Sequence, residues 1–316
     1  MHAGTIVSRH YLPHARTLAR AFTERNPGMR FTALVVGEVA PIRDEPFEVL
    51  TEAELGLGDI AERRRRYDDF EYAVSFKPSL LRHLLQGHET AIYLDSDLYP
   101  VGAFGPLEAE FGDDGVLLTP HLTRSLPDDG LNPTMPNILT AGVFNTGFVA
   151  VRRSGPADAF LDWWFERLVR DCKVDPRRGV FVDQRWVDLA PGIVPGIGIL
   201  RDSAWNLGHW NLPGQAVARD GDGDGWTVDG RPLRVFHFSG FDPDRPDRLS
   251  KHQNRVDLVA GSPLAEMSRE YAAAMRANGY AELAGGGKNT YFGRRLHQRL
   301  LGARRVAADL RRTRSS

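Results

Sequence analysis

Short apolar runs alternate with longer stretches of helical spacing along most of the chain. Thr5-Ile6-Val7-Ser8 reads as a first strand, and the pattern through Leu18, Ala19 and Phe22 as a helix that Asn26-Pro27-Gly28 stops. Residues 31–36 (Phe-Thr-Ala-Leu-Val-Val) form a second strand, so the chain opens as β-α-β with a right-handed crossover expected. Residues 52–71 read as a highly charged helix. Leu80, Leu81, Leu84 and Leu85 then mark one apolar helical face behind Lys77-Pro78, where Pro78 suits a first turn. Ala91-Ile92-Tyr93-Leu94 and residues 115–119 read as strands, and residues 144–151 as a strand interrupted by Gly147. Glycine inside a strand marks close approach of another backbone or a ligand. Residues 158–170 predict an amphipathic helix with Trp163 and Trp164 in a core or interface, 234–241 a last strand, and 265–279 a further helix. The segment 121–139 is rich in Pro and Asp, has little periodicity, and reads as a long functional loop.

Alternating strands and helices over 316 residues predict an α/β fold of one large domain or two smaller ones. The 42% hydrophobic and 26% charged content is that of a soluble globular chain, and a net charge of −1 argues against whole-molecule binding of nucleic acid. One cysteine, Cys172, excludes an internal disulfide and a Cys-based zinc cage; Asp-Cys-Lys on an apparent helix reads as packing. The first residues lack the basic start and apolar core of a secretory signal, and no apolar run approaches the ~20 residues that span a bilayer, so a cytoplasmic location is expected. Beyond Gly285-Gly286-Gly287, residues 288–316 carry nine Lys/Arg against Asp309, with Phe292, Leu296, Leu300, Ala303, Ala307 and Leu310 at helical spacing. Such a basic amphipathic helix reads as a contact to the inner face of a membrane or to a partner, or else as a helix docked on the body with its Arg residues in water.

Candidate chemistry centres on Asp95-Ser96-Asp97, directly after an apolar strand. On an extended strand, positions two apart point to one side, so the two carboxylates converge and call for a cation; oxygen ligands suit Mg²⁺ or Mn²⁺. Asp220/Asp222, Asp222/Asp224 and Asp242/Asp244 repeat the spacing among Gly and Pro, where acids form turns. Position twelve from Asp220 is Arg231 and not the Glu of a calcium loop, so that stretch reads as a hairpin. Ser8 to Tyr11 follow the carboxyl end of the first strand, where ligands bind in such sheets. Lys77 at a helix N-terminus favours an anion. The run Arg63 to Arg66 invites a phosphate, but Glu62, Asp68 and Asp69 flank it and favour a solvated face. Asp183 and Gln184 are a polar pair in an apolar segment and need partners. The segment 205–212, with Trp205, Asn206, Trp210 and Asn211, suits either sugar recognition or a packed loop. His237 is a ligand-capable residue near a strand end.

In order, Ile6-Val7-Ser8, Phe76-Lys77-Pro78, Tyr93-Leu94-Asp95-Ser96-Asp97, Phe144-Asn145-Thr146-Gly147-Phe148, Val182-Asp183-Gln184 and Phe236-His237-Phe238-Ser239-Gly240 resemble the motif set of GT-A-fold, nucleotide-sugar-dependent glycosyltransferases. The likeness is greatest to the retaining family that includes glycogenin and bacterial lipopolysaccharide galactosyltransferases. It implies a single GT-A (Rossmann-like) domain over 1–262 with a mixed, mostly parallel sheet, and a C-terminal helical, basic extension over 263–316. It further implies that Asp95, Asp97 and His237 hold Mn²⁺ or Mg²⁺, and that Ser8, Tyr11, Lys77, Ser96 and Gly240 lie along a nucleotide-sugar donor, a UDP-sugar by preference. Asn145, Asp183 and Gln184 would line the donor sugar and the reaction centre, and the acceptor would be a glycan or a lipid-linked glycan. The Lys that commonly follows the family's His and Gly is missing; Arg245, Arg248 and Lys251 are the basic residues that come next. Were the reaction inverting, Asp183 or Asp129 would be the base. A non-catalytic sugar-nucleotide-binding scaffold and a sugar-nucleotide nucleotidyltransferase are the competing classes; the first forty residues lack the Gly-rich phosphate loop of the latter.

Overall fold

A computed structural model describes residues 1–37, 42–221 and 223–284; the basic segment 288–316 and the triple glycine before it lie outside them. The strands are β1 (His2–Val7), β2 (Arg30–Val35), β3 (Glu48–Thr51), β4 (Thr90–Leu94), β5 (Leu98–Pro100), β6 (Val116–Pro120), β7 (Phe144–Arg152), β8 (Val174–Asp175), β9 (Val180–Phe181), β10 (Ile197–Ile199), β11 (Leu207–Gly208), β12 (Val217–Arg219), β13 (Trp226–Val228), β14 (Arg231–Pro232) and β15 (Val235–His237). The helices are α1 (Leu12–Arg25), α2 (Ile60–Arg66), α3 (Asp69–Val74), α4 (Lys77–Leu84), α5 (Leu107–Glu110), α6 (Met135–Ala141), α7 (Gly155–Asp171), α8 (Gln184–Val187), α9 (Ala190–Ile193), α10 (Pro263–Ala277) and α11 (Tyr280–Ala284).

Among the described residues the main sheet runs β10-β6-β7-β4-β1-β2-β3. β1 is parallel to β2 and β4, β2 to β3 and β6 to β10, whereas β7 runs antiparallel to both its neighbours. The α/β fold with a mixed, mostly parallel sheet is therefore present. Its strands β1, β4 and β7 are buried along nearly their whole length, as a sheet covered on both faces requires. One face packs on α4 and α7 through Leu80, Leu81, Leu84, Phe160, Leu161 and Trp164; the other packs on α1 through Leu18, Ala19 and Phe22. Trp164 is fully buried, so the core reading of the Trp pair holds for it.

A smaller sheet, β11-β15-β5, positions the chemistry. β15 pairs antiparallel with β5 so that His237 lies opposite Leu98, next in sequence to Asp97. On the other side, β4 pairs with β7, and the Asp95 amide donates to Gly147 O at 2.8 Å. Two strand pairings thus bring residues 95–97, 147 and 237 together. Helix α10 closes this region: Met267, Tyr271 and Met275 pack with Phe236 and Phe238, and the rings of Phe238 and Tyr271 stack at 4.2 Å.

Several expectations change. Residues 52–71 are not one helix. β3 precedes them, and the helical part splits into α2 and α3 because Asp68, in extended conformation, caps α3 and accepts from the Glu71 amide at 3.0 Å. The arginine run is not simply a solvated face either. Arg63 is buried, bonded to Asp59 and to Ser75 O, and its guanidinium lies over Phe76 and Phe165. The segment 121–139 is irregular only until Thr134, whose hydroxyl accepts from Asn137 N and starts α6. Cys172 is fully buried, and burial pushes its thiol well up, in keeping with a packing role. Asp220–Gly225 joins the antiparallel pair β12–β13, as the hairpin reading expects, with Asp222 outside the described residues. Among the described residues no helix is long and apolar enough to cross a membrane.

Candidate active site

Beyond the carboxyl ends of β1 and β4 lies a cavity of about 860 Å³. Ser8, Tyr11, Lys77, Asp95, Ser96, Asp97, Asn145, Asp183, Gln184, His237 and Gly240, scattered over more than two hundred positions of the chain, all line it. Of the three basic residues after Gly240, Lys251 lines it and Arg245 and Arg248 do not. Asp129 stays outside, held by both guanidinium nitrogens of Arg255 at 2.6 and 2.7 Å.

Asp95 and Asp97 do converge, but not along a regular strand. β4 ends at Leu94, and a turn follows in which the Leu98 amide donates to Asp95 O at 3.0 Å. Ligand-capable atoms of Asp95, Asp97 and His237 lie within 4.8 Å of one another, and among the described residues this is the group placed to share an ion. Asp97 Oδ1 stands 3.0 Å from His237 Nε2. Desolvation works to raise the Asp97 pKa, and His237 outweighs it, leaving this carboxylate below its ordinary value. On Asp95, Oδ1 accepts from the Tyr93 hydroxyl at 2.7 Å and lies 3.3 Å from Lys77 Nζ, which turns Oδ2 toward Gly147 and the His237 ring.

Lys77 opens α4 at its N-terminus, as expected, but its ammonium does not stand open. It is buried, 3.0 Å from Asp183 Oδ2, donates to Thr146 O at 3.1 Å, and sits over the Tyr93 ring. Burial opposes its charge, but Asp183 and then Asp95 outweigh burial and hold its pKa above the ordinary value. Asp183, equally buried, is pushed up by burial, with the Lys77 ammonium and the Thr146 hydroxyl holding part of that back. The residue before it, Val182, has φ +40°, a left-handed conformation that costs a β-branched residue on the order of 1–3 kcal/mol and sets the direction in which Asp183 leaves the backbone. Gln184 Oε1 accepts from Thr146 N and its Nε2 donates to Ala141 O, both at 3.2 Å, so this amide ties α6 to β7 at the cavity wall. Gly240 has φ +70°, and a side chain there would strike His252 and Ser250.

Histidines are what the sequence reading undervalued. His10, His14, His121, His209 and His252 join His237 around the cavity, with Trp210 edge-on to His121, His209 and His237. Their one linear signal is that His121 and His237 stand at or just past strand ends; the others meet only in space. Trp205, by contrast, is core, packed edge-on against Phe104. The segment 205–212 is therefore packed at Trp205 and β11, while His209 and Trp210 reach the cavity wall.

Gly147 shows how tightly the centre is built. A Cβ there would lie 2.5 Å from His237 Cε1, 2.7 Å from Asn145 Oδ1 and 2.8 Å from Asp95 Oδ2. Gly147→Ala should therefore leave the fold intact yet move the Asp95 and His237 side chains apart. The expected result is at least a ~10-fold weaker Mn²⁺ affinity by calorimetry, in line with displaced groups around metal ligands. An unchanged affinity would show that the three side chains do not act as one centre.

No protein-family model matches the chain. It is similar to the uncharacterized protein YfnF of Bacillus subtilis (strain 168), 30% identical over 183 residues, 55% of this chain and 58% of that protein. It is also similar to the uncharacterized protein YfnD of the same organism, 27% identical over 251 residues, 76% of this chain and 78% of that protein. Among solved structures it aligns with galactosyltransferase LgtC in complex with donor and acceptor sugar analogues: 16% identity, TM-score 0.47, 87% of this chain and 96% of that one. A second alignment is to glycosyltransferase GlyE of Streptococcus pneumoniae TIGR4: 13% identity, TM-score 0.47, 89% of this chain and 64% of that one.

Proposed function

We propose that this chain is a metal-dependent GT-A-type glycosyltransferase that moves a sugar from a nucleotide-sugar donor to a hydroxyl of a glycan or lipid-linked acceptor. The observation that carries the proposal is the convergence of Asp95, Asp97 and His237 in one large cavity beyond the carboxyl ends of the sheet. The donor set fits a divalent cation: two carboxylates and an imidazole crowd one point, and Asp97 already faces Nε2 of His237. Such a set suits Mn²⁺, and Mg²⁺ less because of the imidazole. Asp95 Oδ2, Asp97 and His237 Nε2 would hold the ion. When bound, it would act as a Lewis acid on the departing diphosphate.

The chain's own residues fill the other roles. Tyr11, part-exposed on the cavity wall beside Ser8, offers a ring face to a base. Lys251, whose amide donates to Gly240 O at 3.0 Å, brings an ammonium to the cavity within the segment where the resembling family keeps its phosphate-binding Lys. Asn145 and Gln184 form a wall already tied down by their own hydrogen bonds, which suits a surface that must not move under a sugar. Retention of anomeric configuration is favoured over inversion, because both acids considered as bases are committed elsewhere: Asp183 to Lys77, Asp129 to Arg255.

The test is nucleotide release from a panel of UDP-, GDP- and dTDP-sugars with Mn²⁺, with calorimetric binding of each donor alongside. Slow turnover of one donor, abolished by EDTA, is expected, and adding the right acceptor should accelerate it. Absence of turnover together with absence of binding of any donor or free nucleotide would overturn the transferase reading. Binding without turnover on any acceptor would leave a sugar-nucleotide-binding scaffold.

A further inference from the structure

We infer that Asn206 is a positioning residue for the candidate metal centre: it holds the His237 imidazole with its proton on Nδ1 and so keeps Nε2 for the cation. The inference rests on the metal reading above. It follows from hydrogen-bond polarity alone, starting from two backbone groups whose roles are fixed.

The Gly147 N–H can only donate, and it meets Asn145 Oδ1 at 3.0 Å. That fixes the Asn145 amide, so its Nδ2 donates to His121 Nε2 at 3.2 Å. The His121 proton must then sit on Nδ1, which lies 2.8 Å from Gly142 O, a group that can only accept. The two fixed ends agree, and burial keeps His121 neutral, its pKa lowered to about 4. From the same Asn145 Oδ1 the relay runs the other way. The Asn206 group 3.0 Å from it must be the donor, Nδ2, which also donates to Thr119 Oγ1 at 2.9 Å. Asn206 Oδ1 is left facing His237 Nδ1 at 3.1 Å, and a carbonyl oxygen only accepts. The imidazole proton is therefore on Nδ1. Turning any one amide around would oppose two acceptors or two donors among side chains that are all less than a tenth exposed.

The consequence falls on Nε2: with the proton on Nδ1 it faces Asp97 Oδ1 at 3.0 Å, acceptor to acceptor, an opposition that a shared cation would relieve. An imidazole in water moves its proton between both nitrogens; the tautomer with Nε2–H would have no lone pair to offer a cation. Asn206 thus acts on the ion through His237, without touching the cavity itself. The fold supplies the contact through the β11–β15 pair, which sets Gly208 beside His237.

The test uses the full chain labelled with ¹⁵N-histidine, with His237→Gln to assign its signal. Two-bond nitrogen–proton correlations should show a proton on His237 Nδ1 in the wild type. Titration with Mn²⁺ alone should show Asn206→Leu weakened ~10–100-fold, the usual cost of losing a partner to a metal-ligating His, with the Nδ1 proton signal lost from the metal-free variant. Thr119→Val removes the other acceptor of Asn206 Nδ2 while leaving the His237 contact, and should stay within ~3-fold of wild type. A wild-type His237 without a proton on Nδ1, Asn206→Leu binding as wild type does, or Thr119→Val weakened as much as Asn206→Leu would overturn the inference. Should Asn206→Leu fail to fold, the wild-type tautomer decides. A wild type that binds no Mn²⁺ overturns the metal reading itself, before any variant is made.

Discussion

Asp97→Ala should bind no Mn²⁺ measurably and lose donor turnover by ~10²–10³-fold, the scale of removing one stabiliser of developing negative charge, here the cation that the carboxylate would hold. Its carboxylate stands 3.0 Å from His237 Nε2, and without it the proposed centre would keep only Asp95 and His237. Stability should change little, because the Asp97 side chain is about one-third exposed and its backbone contact, Phe238 N–H to Asp97 O at 2.9 Å, survives the substitution. The informative control is Asp224→Ala. It carries the same acid spacing, but in the β12–β13 hairpin loop, and should behave as wild type. Calorimetry with Mn²⁺, circular dichroism and nucleotide release check all three proteins. A folded Asp97→Ala that keeps wild-type Mn²⁺ affinity would refute the centre as drawn.

That contrast shows what the sequence makes legible. Acid spacing alone does not separate residues 95–97 from the hairpin acids; the apolar run before Asp95 does, because it places the pair at the end of a buried strand. Gly147 likewise announces a close approach, since a strand interior rarely keeps glycine without one. What it approaches is not legible. The strand that carries His237 is announced, but its arrival at residues 95–97 depends on pairing with β5, three residues, too short to leave a periodic trace. Arg63 and Lys77 show the opposite failure. Each reads locally as a cation for solvent or phosphate, and each is buried because its partners come from elsewhere: Phe165 for Arg63, and Asp183 and Thr146 for Lys77. Charge patterning along a helix reports neighbours three and four residues away and is silent about those a hundred away.

The second large effect lies at Lys77. Lys77→Met keeps the aliphatic length but removes the one ammonium that Asp183 and Asp95 share. Breaking a buried pair on one side leaves an uncompensated charge and costs ~3–5 kcal/mol, which for a chain of this size lowers the melting temperature by roughly 10 °C. The sign of its pH dependence is distinctive. Without the ammonium, burial acts on Asp183 against the Thr146 hydroxyl alone among the groups that lowered it most, and its folded-state pKa rises further above its unfolded value. The folded variant then binds more protons than its unfolded chain across the interval between those values, so its stability falls as pH rises through it. The deficit against wild type should accordingly be largest near pH 8 and shrink toward pH 5. Both proteins weaken on acidification for a separate reason. Burial lowers His2, His14, His121 and His252 to about 4 and His209 to about 3, so their unfolded forms take up protons near pH 6.5 that the folded forms refuse. That loss is common to wild type and variant and cancels in their difference. Lys77→Met/Asp183→Asn should recover part of the stability at pH 8 because the buried charge is gone with its partner. Denaturant unfolding at several pH values measures all of this. A deficit that is absent at pH 8, or that grows on acidification, would mean that Lys77 is not the counter-ion that keeps Asp183 charged beneath the cavity.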